Sequence, residues 1–337
     1  MGAMTRAIVG IAPILGLILI LVWWVGQRVL EPERRPVAVV ADPERRPVAV
    51  VAEAERRPVA VAAEPGALSA TPATLDVVDS EEDRLIFREK MEWARAERLD
   101  TLPIGEIVAR VALAFVGAPY TPGTLEIEGP ERLVVNLREF DCVTLVESTL
   151  AMARLIRDGR FDDYDGFTRE LARIRYRGGV IDGYASRLHY FSDWIADGES
   201  KGIVRNVTRE LGGIPDTGRV NFMSTHPEAY RQLADPANLE AIRGVEAELN
   251  RRPRHYIPEH AIEGAAGGIR NGDIIAATSS LPGLDVAHTG FALWLDGRLH
   301  LLHAPLVGKT VEISELPLAE RIRRIEGQDG IMVARPS

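Results

Sequence analysis

The sequence holds a single cysteine, Cys142, among its 337 residues. That excludes an intramolecular disulfide framework and a multi-thiolate zinc site. Basic residues are outnumbered, 40 against 49 acidic, for a net charge of −9. A general nucleic-acid binder would show a basic footprint, so no nucleic-acid partner is expected. Aromatic residues make up only 6%, beside 46% hydrophobic and 26% charged, with 30 Gly and 21 Pro. Such a chain is not wholly disordered, collagen-like or coiled-coil. Its length allows one large domain with attachments or two modest ones, at about 150 residues per domain.

Ala7 to Gly26 carries no charge, a stretch long enough as a helix to span about 30 Å, the hydrocarbon thickness of a bilayer. Arg6 and Arg28 flank it, and Trp23 and Trp24 stand where an interfacial aromatic belt would fall. A transmembrane anchor or uncleaved signal over residues 1–30 is expected. A cleaved signal would need small residues near its end instead of Trp23-Trp24-Val25. Next, Glu-Arg-Arg-Pro-Val-Ala-Val begins at Glu33, Glu44 and Glu55, a period of eleven. Its prolines break helices, so residues 31–75 read as an extended, semi-stiff linker and 76–337 as the folded domain.

From Leu75 onward the patterning is that of a folded domain. Ser80 and Asp83 predict a capped helix through Trp93. Ile104, Ile107, Val108, Val111 and Phe115 recur at helical spacing before Gly117. Val143, Val146 and Leu150 predict a helix starting near Asp141, and Leu239, Ile242, Val245 and Leu249 another. The last third changes period: Ile274-Ile275, Phe291–Leu295, Leu299–Leu302, Thr310–Ile313 and Ile331–Val333 read as strands. Helices followed by a meander of strands predict an α+β domain with an antiparallel sheet.

A lone cysteine is usually a small buried hydrophobe, but Phe140-Asp141-Cys142 puts this thiol in the first turn of a helix. There the dipole and free N–H groups are expected to lower its pKa and to supply oxyanion donors. Asp141 reads as the helix cap. Seven histidines could serve as base. Asp296-Gly297 has the form of a two-residue hairpin turn, which pairs Gly290 with His303 and Leu293 with His300. Period-two alternation then sets His288 and His303 on one face as diagonal neighbours, with His300 on the other. Gly290 and Ala292 are expected to leave space beside His288 for a thiol or substrate. This geometry points to His288 as base and His303 as its orienting partner.

A further cluster comprises Arg187, His189, Tyr190 and Asp193. His189 and Asp193 would share a helix face and could ligate a metal, though a pair with no third ligand is a weak signal. A patch holding a carbohydrate or peptide, or an ion-pair network that fastens the helix, are the other readings. Asn221 to His226 could line a cleft.

Gly117-Ala118-Pro119-Tyr120, Phe140-Asp141-Cys142, Asn271-Gly272-Asp273-Ile274, His288-Thr289-Gly290 and His303-Ala304, in that order, resemble the NlpC-type papain-like cell-wall hydrolases. Arg187 to Trp194, Asn221 to His226 and Gly283 to Gly290 narrow the resemblance to the N-acetylmuramoyl-L-alanine amidase-like branch, over about residues 80–337. The resemblance implies a nucleophile helix packed on an antiparallel sheet, Cys142 as nucleophile, His288 as base and His303 as orienting residue. It also implies that Tyr120 shapes the oxyanion or substrate site. The expected activity is hydrolysis of the amide between N-acetylmuramic acid, in its normal or anhydro form, and L-alanine, with no metal or organic cofactor. Peptidoglycan or a muropeptide is then the substrate, and a periplasmic domain on an inner-membrane anchor the expected location. A stem-peptide endopeptidase, a metal-dependent amidase and a non-catalytic wall-binding protein are the rivals. Val143-Thr144, where the wider superfamily has small residues, fits the narrower branch.

Overall fold

A computed structural model describes residues 75–306 and 309–337, and Leu75–Ser337 forms one unit. The expected membrane tract and the repeated linker lie outside the described residues. Among the described residues, no helix is long and apolar enough to cross a membrane.

The first half is helical. Ser80 accepts from the Asp83 N–H and Asp83 reciprocates, closing a capping box on α1, Glu81–Ala96. Helix α2, Ile104–Leu113, follows, and Gly117 turns the chain with φ +94°. Helix α3, Cys142–Arg157, starts at the cysteine itself, with Asp141 as its cap. It buries Leu145, Val146, Leu150, Met152, Leu155 and Ile156 on nearly all sides, as expected of a central helix. It is wrapped by α1, α2 and α4, Tyr164–Arg175. Within it, Glu147 pairs with Arg175 at 2.6 Å, both side chains buried. Removing one partner of such a pair leaves an uncompensated charge, at a cost of about 3–5 kcal/mol. Helices α5, Phe191–Ser200, and α6, Pro236–Leu249, complete the helical half.

The remainder is a sheet. Strands β1, Val77–Val78, and β2, Leu133–Val134, form a small parallel pair. The main sheet contains β3 Val204–Asn206, β4 Ile214–Asp216, β5 Arg254–Pro258, β6 Ile274–Ser279, β7 Val286–Leu295, β8 Arg298–His303, β9 Glu312–Ile313 and β10 Gln328–Pro336. Its order is β4-β5-β10-β6-β7-β8-β9, with β3 also on β10. Every pairing within it is antiparallel. The expected hairpin forms as read: Leu293 faces His300, and Asp296 and Gly297 both take positive φ, as a type I′ turn requires.

The sheet separates two cores. Ile274, Ala276, Phe291, Leu293 and Leu302 pack toward α3. Ile275, Ala292, Leu299 and Leu301 pack toward α7, Leu318–Arg324, through Leu318 and Ile322. The segment before β6 locks the layers together. Asn271 accepts from the Trp294 N–H at 2.8 Å, and a Cβ on Gly272 would lie 1.9 Å from the Gly105 carbonyl oxygen. The Asn271-Gly272-Asp273 motif is therefore a structural corner.

Candidate active site

Asp141 positions the cysteine. Its Oδ1 accepts from the Val143 N–H at 3.0 Å and the Thr144 N–H at 2.7 Å, while Thr144 Oγ1 accepts from the Asp141 N–H at 2.9 Å. This leaves Cys142 at the first helical position, half-buried. It also corrects one expectation: the Val143 and Thr144 N–H groups are occupied by Asp141, so they are not free to hold an oxyanion. A second correction concerns the thiol. Burial, and then the adjacent Asp141 carboxylate, push its pKa up to about 11, against the lowering effect of Thr289. Both causes favour the neutral thiol over the thiolate.

The strand carrying His288 reaches this helix start directly. Thr289 Oγ1 donates to the Cys142 carbonyl at 2.9 Å. One residue earlier, His288 is buried, and its Nε2 lies 2.8 Å from Nδ1 of His303. The rings meet edge to face, 4.9 Å between centroids. The diagonal placement read from the hairpin is thus observed, with His300 apart, its Nδ1 2.9 Å from the Ser314 carbonyl. Gly290 has a different use from the one expected. A Cβ there would lie 2.9 Å from His303 Cβ and 2.6 Å from the Leu302 oxygen, so the missing side chain admits His303 rather than substrate. Ala292 is fully buried in the core.

Both imidazoles rest neutral. Burial, then His303 and Arg321, hold His288 well below its ordinary range. Burial and Arg321 push His303 down to about 3. Arg321 comes from α7, which packs against β8 and β10; its guanidinium donates to Gln328 at 3.3 Å. Glu312, cross-strand from His303, is its acidic counterpart. Sequence reasoning missed Arg321 and Glu312, because only the β8–β9 pairing and the docking of α7 bring them here. Thr289 stood inside a recognised motif without a role.

Tyr120 is tied to the segment that leads into Cys142. It bridges to Phe140, two residues before Cys142, and its N–H donates to the Lys309 carbonyl at 3.0 Å. Burial, then the neighbouring Cys142 and Asp141, raise its phenol pKa, so it stays a hydrogen-bond donor. The chemistry available is that of one thiol, two neutral imidazoles, the Cys142 N–H and a phenol donor.

The second cluster is organised differently. Helix α5 starts at Phe191, so His189 precedes it and does not share a helix face with Asp193. Asp193 is held by Arg177 at 2.5 Å and Arg252 at 3.1 Å. His189 Nε2 lies 2.8 Å from the Tyr184 carbonyl, and burial pushes its pKa down to about 3. Tyr190 donates to Glu246 at 2.7 Å and accepts from the Met223 N–H at 2.8 Å. Arg187 is buried against Glu126 at 2.6 Å and Glu131 at 3.6 Å. These side chains are not brought together with Cys142 by any hydrogen bond among the described residues. Nor does any group of three His, Cys, Asp or Glu among those residues stand ready to hold a metal.

A thiol at a helix start with paired imidazoles on an antiparallel sheet is the furniture of covalent acyl transfer. Residues 110–331 match the family described as AmiA-like, N-acetylmuramoyl-L-alanine amidase-like, and the chain belongs to that family. An N-acetylmuramoyl-L-alanine amidase from Bacteroides uniformis ATCC 8492 is 38% identical, covering 69% of this chain and 99% of its own, with a TM-score of 0.65. A putative xylanase from Bacteroides fragilis is 41% identical over 67% of this chain and 99% of its own, at a TM-score of 0.64. A protein from Legionella pneumophila str. Philadelphia 1 shares the fold at 19% identity and a TM-score of 0.57, over 75% of this chain and 95% of its own. No curated protein matches the sequence.

Proposed function

We propose that the chain is a cysteine amidase that cuts the amide between N-acetylmuramic acid, in particular its anhydro form, and L-alanine. The observation that carries the reading is the 2.8 Å contact between His288 Nε2 and His303 Nδ1, on a strand whose next residue, Thr289, hydrogen-bonds the Cys142 backbone. Donation of Nε2–H to His303 leaves the other His288 nitrogen, Nδ1, unprotonated. Nδ1 takes the thiol proton as Cys142 Sγ attacks the carbonyl carbon. The resting thiol is neutral, so proton transfer accompanies attack rather than preceding it. The Cys142 N–H and the Tyr120 hydroxyl donate to the developing oxyanion. His288 then gives its proton to the leaving nitrogen, the C–N bond breaks, and a thioester remains. Water, deprotonated by His288, attacks the thioester; the C–S bond breaks, His288 returns the proton to Cys142 Sγ, and the muramic carboxylic acid is released. His303 holds the imidazole in the productive tautomer throughout. The Arg187–Asp193 cluster fastens α5 and its neighbours.

The same reading puts the chain in the NlpC-type papain-like superfamily, with a periplasmic catalytic unit anchored by residues 1–30 and held off the inner membrane by the repeated linker. Mass spectrometry of a digested muropeptide tests the bond assignment. The expected products are a sugar ending in a free lactyl carboxylate and a peptide beginning with L-alanine. Cleavage between stem residues would replace the reading with an endopeptidase, and no cleavage would leave a wall-binding protein.

A further inference from the structure

A cavity of about 540 Å³ opens beside the start of β7, lined by Asp216, Arg219, Arg254, Tyr256, Thr278 and Asp329 among others. Its volume is within the range of small-molecule sites. The walls are built rather than incidental. Gly283 takes φ +85°, and a Cβ there would lie 2.6 Å from Asn221 Oδ1. The Gly283 carbonyl accepts from the N–H groups of both Asn221 and Phe222 at 3.0 Å. The two segments that sequence analysis singled out without a role, at Asn221 and Gly283, are therefore clamped together as one wall.

The charges facing this space do not cancel locally. Arg254 neutralises Asp216 at 3.1 Å and fixes the loop by donating to Gly218. Asp329 uses Oδ1 to accept from Thr278 Oγ1 at 2.6 Å and has no ion-pair partner among the described residues. Exposed Arg219 likewise has none there. The Tyr256 phenol lines the same cavity as Asp329 and Asp216; burial, then those two carboxylates, raise its pKa. One cavity thus presents an unpaired carboxylate with a phenol beside it, and an unpaired guanidinium. A ligand carrying both an ammonium and a carboxylate satisfies both; a neutral or singly charged one does not.

We propose that this cavity binds a zwitterionic α-amino-acid group, its ammonium on Asp329 and Tyr256 and its carboxylate on Arg219. The identity of the ligand rests on the amidase reading: it is the free end of a diamino acid in the stem peptide. Asp329 stands on β10, two strands from His288 on β7, a lateral offset of about 10 Å. Three residues of extended peptide cover about 10 Å, so a stem cut at its first amide reaches the cavity with its third residue.

Calorimetric titration of the full chain with meso-2,6-diaminopimelate, pimelate, 1,5-diaminopentane and N-acetylglucosamine tests this. Diaminopimelate is expected to bind saturably, with pimelate and diaminopentane at least about tenfold weaker, since each lacks one charged contact. Asp329→Asn and Arg219→Ala are each expected to weaken diaminopimelate about tenfold. Arg219 is exposed, so its replacement leaves the fold intact. Equal binding by either half-ligand, preference for the saccharide, no binding, or indifference to both substitutions would overturn the site. Muropeptide cleavage, measured separately, keeps the two readings apart. Cleavage without diaminopimelate binding removes the cavity assignment alone, and Asp329-dependent binding without cleavage removes the amidase assignment alone.

Discussion

Around Asp193 and around Cys142 the chain gathers similar side chains, histidines, tyrosines, arginines and carboxylates, and treats them oppositely. At Asp193 two guanidinium groups hold the carboxylate, and Tyr190 both donates and accepts. At Cys142, Asp141, Thr289 and His303 fix the backbone and the His288 ring, and no carboxylate forms an ion pair with either imidazole among the described residues. An ion-paired carboxylate fastens its neighbours; a thiol and imidazoles held in place without a counter-charge can react. Ion pairing separates the two clusters where residue type alone does not.

Substitutions can break that contrast. Cys142→Ala is expected to lower kcat/KM by about 10⁴-fold or more while leaving the melting temperature near that of the parent, because the loss is of the reacting group. His303→Gln should cost about 10²-fold in kcat through loss of the His288 tautomer and orientation, read by steady-state kinetics. Asp193→Ala should do the reverse. Chemical denaturation should show a loss of about 1–3 kcal/mol, since the partly exposed arginines can rehydrate, with kcat per folded molecule unchanged. An Asp193 variant that stays stable and loses activity would erase the distinction.

The smallest expected effects concern protons. Arg321→Gln removes a cation that helps hold both imidazoles down, so their pKa values rise and the acid limb of kcat/KM moves to higher pH. The shift should be up to roughly one unit. Stability carries the same sign. His288, well below its ordinary 6.5, and His303, at about 3, bind fewer protons folded than unfolded across that window. Unfolding free energy should therefore rise with pH from about 3 to 6.5 and be lost progressively on acidification. Denaturant melts of the parent and His303→Gln should differ most at the acid end.

Much of the site was legible because its geometry is local. The Asp141 cap follows from one residue ahead of a helical pattern, and the His288–His303 neighbourhood follows from a two-residue turn at Asp296-Gly297 and strand alternation. Strands β3, β4 and β5, on the β10 side of the sheet, were not legible. They are short, and their pairing partners lie far along the chain. Arg321 and Glu312 escaped for the same reason, and the direction of the thiol's pKa was misjudged because burial depends on what packs over Cys142. His189 and Asp193 are spaced to share a face only if one helix holds both, and α5 starts at Phe191, after His189.

The claim that Cys142 carries the acyl group is tested most directly by rapid-quench intact-mass spectrometry of the chain mixed with an anhydro-muramoyl peptide. A transient adduct of the muramoyl acyl group that maps to Cys142 and is absent in Cys142→Ala is expected. Turnover by Cys142→Ala at the parent rate, with no adduct on either protein, would contradict it.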